Sequence, residues 1–156
     1  MGDVIIRIKG KPVSYGDSWE EGNYQVYGSV EIKDEAGVIH VIENLAVKKS
    51  IADDFNASMS AVQIVDGSKI GTFLGRNYVC AIQDKKGNVV TDTWPLQMGY
   101  RANRFVALGL TFLVPLTVIA PWFYIKASKL KKALGDVGAF EPINSNFISP
   151  SKKKKI

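Results

Sequence analysis

Histidine and cysteine are nearly missing from this chain: His40 and Cys80 are single examples among 156 residues. Zinc sites of the usual nitrogen and sulfur ligands need several such side chains, so no metal site is expected. A lone cysteine also excludes an internal disulfide. It lies in the alternating run Asn77 to Ile82, which suits a small apolar side chain facing the inside of a sheet. The spacings that carry phosphate or nucleotide chemistry are absent as well, with no G-x-G-x-x-G and no P-loop. The acidic pairs Glu20-Glu21, Asp34-Glu35 and Asp53-Asp54 are neighbours in sequence, so their carboxylates point apart and form no acid–base pair. His40, between Ile39 and Val41, reads as a strand residue facing solvent or the sheet rim. The chain is therefore expected to be non-enzymatic, with no catalytic, metal-binding or cofactor-binding residue. The first residues, MGDVIIR, lack the apolar core of a secretory signal.

What the chain does have is a run from Phe105 to Ile125, FVALGLTFLVPLTVIAPWFYI, 21 residues without a charge or a side-chain amide. At about 1.5 Å per residue a helix of that length reaches roughly 31 Å, one hydrocarbon thickness. Arg104 and Lys126 close its ends. The run is expected to be a transmembrane helix, kinked at Pro115 and Pro121 because each proline removes a helical hydrogen bond. Trp122, Phe123 and Tyr124 are expected at the membrane interface together with Arg104.

Charge divides at this run. Residues 1–104 hold 12 Lys and Arg against 13 Asp and Glu, a net of −1. Residues 126–156 hold 8 Lys against 2 acids, a net of +6. The basic character thus belongs to the tail, which argues against a nucleic-acid surface on the folded part. Lys126, Lys129, Lys131 and Lys132 follow the run directly and are expected to meet anionic lipid headgroups. The domain layout expected is a small β-rich domain at 1–93, a juxtamembrane linker at 94–104, the span at 105–125 and a largely disordered basic tail at 126–156.

Within the first domain, VIIRIK at 4–9 suggests a short strand, and Gly10 to Asn23 a loop. Strict alternation from Tyr24 to Lys33, the turn Asp34 to Gly37 and a second apolar alternation from Val38 to Val47 predict a hairpin. Ser50 is expected to cap a helix whose apolar face is Ile51, Phe55, Met59 and Val62. Short strands are then expected near 69–74, 78–84 and 88–93. The fold class is mainly β, a small barrel or sandwich. Its element order resembles the OB-fold, where a helix separates the third strand from the fourth; an SH3-like barrel or a sandwich would read similarly.

Topology is a conflict of two arguments. More positive charge follows the span than precedes it, which places the tail in the cytoplasm and the β domain outside. The reverse orientation, and a hairpin turning at Pro115 with both ends on one side, are the alternatives. The function expected is a single-pass membrane protein whose β domain binds a partner, another protein of a membrane complex, while its Lys-rich tail meets the bilayer. The alternatives are a tethered ligand- or lipid-sensing domain and an OB-like nucleic-acid module.

Overall fold

A computed structural model describes residues 4–57, 59–70, 75–112 and 119–140. The described chain is mainly β, as expected, and its strands form one mixed sheet. Strand β1 (Ile5–Tyr15) is longer than the sequence suggested, and Gly10 explains why. Before Gly10, β1 pairs with β5 (Met59–Val65); from Gly10 onward it pairs with β3 (Tyr24–Asp34). A side chain at Gly10 would collide with the Lys33 carbonyl oxygen, so glycine permits the close crossing at which one strand serves two neighbours. The Gly10, Pro12 and Gly16 signals that look like a loop are features of a bent strand, which bulges between Pro12 and Ser14.

Strand β2 (Ser18–Glu21) then forms an exposed edge on β3. The predicted hairpin is present: β3 pairs antiparallel with β4 (Ile39–Lys48) around a turn in which Gly37 takes a positive φ of 84°. One detail differs. Tyr27, out of phase with Tyr24, Val26, Val30 and Ile32 in the alternation, is nevertheless buried against Phe55. Asn44, one residue from the Leu45 that faces Tyr27, has φ 52°. That left-handed residue kinks the ladder beside Gly28 and reverses which face points inward.

Helix α1 (Lys49–Ala57) buries Ile51 and Phe55 as the periodicity predicts. It starts before Ser50, so Ser50 lies within the first turn and is not its cap. Met59 and Val62, expected to continue the helical face, belong to β5. A short helix, α2 (Gly67–Ile70), stands where a strand was expected, and residues 71–74 of that predicted strand lie outside the described residues. Strand β6 (Asn77–Asp84) pairs with β5, with the edge strand β7 (Val89–Thr91) and, in parallel, with β4. The pairings β1–β5–β6–β4–β3 therefore return to β1 through the β1–β3 ladder.

The C-terminal third departs most from expectation. Residues 94–104, expected to be a linker, are the first half of helix α3 (Trp94–Phe112). A second helix, α4 (Ala120–Gly135), takes the first ten residues expected to be tail. No helix among the described residues is long and apolar enough to cross a membrane. The single span expected over 105–125 is thus not found: α3 ends at Phe112 and α4 begins at Ala120, and residues 113–118 between them, Pro115 included, lie outside the described residues. Pro121 does not kink a helix. It occupies the first turn of α4, where its missing N–H removes no helical bond.

Two cores result. One lies inside the circuit of strands and is closed by α1, with Ile8, Val30, Ile32, Ile42, Leu45 and Phe55 at its centre. The other lies between the outer face of the sheet and the helices, joining Ile5, Val26, Ala46, Val65 and Cys80 to Leu96, Leu130 and Ala133.

Candidate membrane-facing site on the paired helices

Helices α3 and α4 pack against each other antiparallel: Gly99 and Leu96, early in α3, meet Leu130 and Ala133, late in α4. The seam explains why. On α3 the buried positions from Leu96 onward are Leu96, Gly99, Asn103 and Ala107, spaced by three, four and four; on α4 they include Ala120, Ala127, Leu130 and Ala133. Residues at these spacings share one helical face, and small side chains let two backbones approach closely. Asn103 is the polar member. Its amide donates to the Gly99 carbonyl at 2.7 Å and to the Ile70 carbonyl at 3.3 Å, which ties α3 to α2.

The inner ends of the helices are fastened to the sheet. Gln63 on β5 is fully buried, donates from Nε2 to the Ala139 carbonyl at 2.9 Å and accepts from the Gly138 N–H at 2.9 Å. Its cross-strand neighbour Arg7 donates to the Asp136 carbonyl at 3.4 Å, just past the C-terminus of α4, where a cation meets the negative end of the helix dipole. Nothing in the sequence marks Arg7 and Gln63 as a clasp; each looks like an ordinary polar residue on an alternating strand. The Cys80 thiol lies in the same core and donates to the Gln63 carbonyl at 3.3 Å. Burial pushes it up to about 12, so it is inert as a nucleophile.

Beyond Arg104 and Lys126 the seam continues, but the outer faces change character. Phe105 is 74% exposed, Ile125 58% and Trp122 50%; Val106, Leu108, Ile119 and Tyr124 are also exposed. Of the expected interface residues, Trp122 and Tyr124 are open and Phe123 is half-buried, its ring edge-on to Trp122 at 4.8 Å. The structure brings Trp122 and Lys126 together, with the ammonium 5.2 Å from the indole centroid. Arg104 stacks on Tyr100 at 5.7 Å and donates to its hydroxyl at 3.1 Å. Five residues after Gly99 stands Arg104, and four before its contact Leu130 stands Lys126, so the two cations lie at one level of the hairpin. By the same count Arg101 lies level with Lys129. Lys131 and Lys132 are exposed further down α4. No acidic residue occurs from Thr93 to Gly135. Lys152 to Lys155, the end of the tail, lie outside the described residues.

Two other places gather polar groups beside a cleft. His40 is buried, contrary to its expected place at the solvent or rim, and bonds Asp34 at 2.9 Å beside a cleft of about 310 Å³. It faces inward because its partner across the ladder is Ile32, a core residue. The His40 bond is the largest influence holding the Asp34 carboxyl below its usual range. None of the described residues lining that cleft carries a hydroxyl or thiol that the pair could activate as a nucleophile. A second cleft of about 440 Å³ lies between Tyr24, Lys48 and Trp94. Two of its lining groups are already engaged, the Tyr24 hydroxyl at 2.9 Å and the Lys48 ammonium at 3.4 Å, both donating to the buried carboxylate of Asp92. Among the described residues no group of acids, His and Cys could hold a metal ion.

No family model, curated protein or solved structure matches this chain.

Proposed function

We propose that this protein is a non-enzymatic, membrane-held binding module: an OB-like β barrel fixed to the bilayer by the α3–α4 hairpin, not by a single span. The carrying observation is the outer half of that hairpin, where Phe105, Val106, Leu108, Ile119, Trp122, Tyr124 and Ile125 are all exposed. An apolar surface on that scale in water marks an interaction site or a membrane contact, and the cations at its base fit a headgroup layer. The OB-like reading is supported by β1 serving both β3 and β5, by the parallel β4–β6 pairing, and by α1 between β4 and β5. The partner is another protein of a membrane complex. Strands β2 and β7 are exposed throughout and flank the sheet, and open edges of this kind accept an added strand.

Fractionation of cells expressing the full chain tests the attachment. It should stay with membranes through high salt and alkaline washing and be released by detergent. Substituting Phe105→Ser, Trp122→Ser and Ile125→Ser together should move it to the supernatant. Recovery of the unaltered chain in the supernatant without detergent defeats the reading.

A further inference from the structure

We infer that the α3–α4 hairpin enters one leaflet only, from the side that carries the β sheet, and that Arg101, Arg104 and Lys126 bind the phosphates of anionic phospholipids as it does so. This rests on the membrane reading above and gives it a depth, an orientation and a lipid class.

Depth follows from the helix lengths. Above Arg104, α3 continues for the eight residues Phe105 to Phe112, about 12 Å of helix. One leaflet offers roughly 15 Å of hydrocarbon and a whole bilayer roughly 30 Å. Seven residues separate Phe112 from Ala120, where the chain is already descending; even fully extended they add no more than about 14 Å of rise before the return, so the hairpin reaches past one leaflet's depth at most and falls short of a crossing. Orientation follows from the antiparallel seam. Because Gly99 lies against Leu130, the chain that rises past Arg104 descends past Lys126, and both inner ends return to the sheet through Leu96, Leu130 and Ala133. The module and the basic end of α4 thus share one face of the membrane.

The lipid class follows from charge. Arg104 and Lys126 stand at one level directly beneath the exposed apolar residues, with Arg101 one turn below, in a stretch from Thr93 to Gly135 that contains no carboxylate. Lys126 packs on the face of Trp122 and Arg104 on that of Tyr100, so aromatic rings and cations occupy the level at which bilayers place their headgroups. Each such cation near an anionic surface strengthens binding by roughly fivefold.

The test uses the full chain and sealed vesicles of phosphatidylcholine with or without phosphatidylglycerol. Cysteines are introduced one at a time at Lys86 and Lys131 in a Cys80→Ala background, and an impermeant thiol reagent is added outside after binding. Expected are binding that needs phosphatidylglycerol, a loss of some 25-fold or more in the Arg101→Gln, Arg104→Gln double variant, and full labelling of both positions from outside. Protection of one position while the other reacts means the helices cross, which overturns the one-leaflet placement and leaves the membrane reading standing. Equal binding to pure phosphatidylcholine overturns the anionic-lipid assignment alone. No binding to either vesicle, with the circular dichroism of a folded chain, removes the membrane reading itself. Arg101 and Arg104 are exposed, so the double variant is expected to fold; a folded variant that binds as tightly as the parent also overturns the assignment.

Discussion

The inner and outer halves of the helical hairpin share one seam but face different surroundings. Below Arg104 and Lys126, Leu134 and Val137 pack against the second core on the sheet, although Trp94 and Met98 on α3 stay partly open. Above them, Phe105, Val106, Leu108, Trp122 and Ile125 are all exposed, from 42% at Leu108 to 74% at Phe105. The helix pairing is the same in both halves, so on the proposed membrane reading what differs is the solvent each half meets. Substitutions should therefore have opposite signatures in the two halves: loss of stability below, loss of membrane attachment above.

The largest effect is expected at Leu130, which is fully buried where α4 meets both α3 and the sheet. Leu130→Ala should lower the unfolding free energy by about 2–5 kcal/mol, read from urea denaturation of the full chain in detergent. Its counterpart in the outer half, Phe105→Ser, should change stability by no more than about 0.5 kcal/mol while weakening vesicle binding. If Phe105→Ser destabilises as much as Leu130→Ala, the outer half is packed against protein and the contrast fails.

The clasp comes next. Gln63→Ala leaves the Gly138 N–H and the Ala139 carbonyl without their partner, a buried loss of about 1–3 kcal/mol. Hydrogen exchange should show the gain in opening concentrated at the end of α4 and not at the β3–β4 hairpin. Uniform exchange across both would mean that Gln63 serves the whole core and not the junction.

A third prediction concerns the sheet at a place remote from either half. The Asp34 carboxyl is held below its ordinary value, chiefly by His40. A carboxyl whose folded value is depressed adds stability above its unfolded value, about 3.9, and loses it as pH falls through the lower folded value. Asp34→Asn should therefore flatten the acid limb of stability below about pH 4 and leave vesicle binding at neutral pH unchanged. An acid limb identical to the parent's removes Asp34 from that transition.

These contrasts also show how much of the molecule could be read from its residues. The β3–β4 hairpin was legible because alternation and a Gly37 turn are local signals. The Phe105 to Ile125 run was legible as apolar, but not as carrying parts of two packed helices, 105–112 and 120–125. The reason is that hydropathy reports how apolar a stretch is and says nothing of what lies beside it. The pairing is written instead in the small residues Gly99, Ala107, Ala120 and Ala127, two of which fall outside the apolar run. Arg7, Gln63 and Asn103 were invisible as a site because their partners are backbone carbonyls and N–H groups far away in sequence. The second cleft wall, Trp94 over Tyr24 with ring centroids 6.0 Å apart, was hidden for the same reason.

The smallest effect separates the two halves most cleanly, because it uses one substitution twice in one helix. Replacing a helical glycine by alanine gains about 1 kcal/mol when nothing obstructs the methyl group. At Gly109, in the outer half, an added Cβ meets nothing within 4 Å, so Gly109→Ala should be stabilising by about that amount. At Gly99, in the inner half, the same atom would lie 3.1 Å from the Ile70 Cβ and 3.2 Å from its carbonyl oxygen. Ile70 is fully buried and its carbonyl already accepts from Asn103, so it has little room to retreat. Overpacking of that kind costs about 1–3 kcal/mol, which offsets or exceeds the gain in helix propensity. Gly99→Ala should therefore be neutral to destabilising, and the two variants should differ by at least about 1 kcal/mol in paired denaturation curves. Equal stabilisation at both positions would mean that α3 stands away from Ile70, and that the inner half is no more tightly held than the outer.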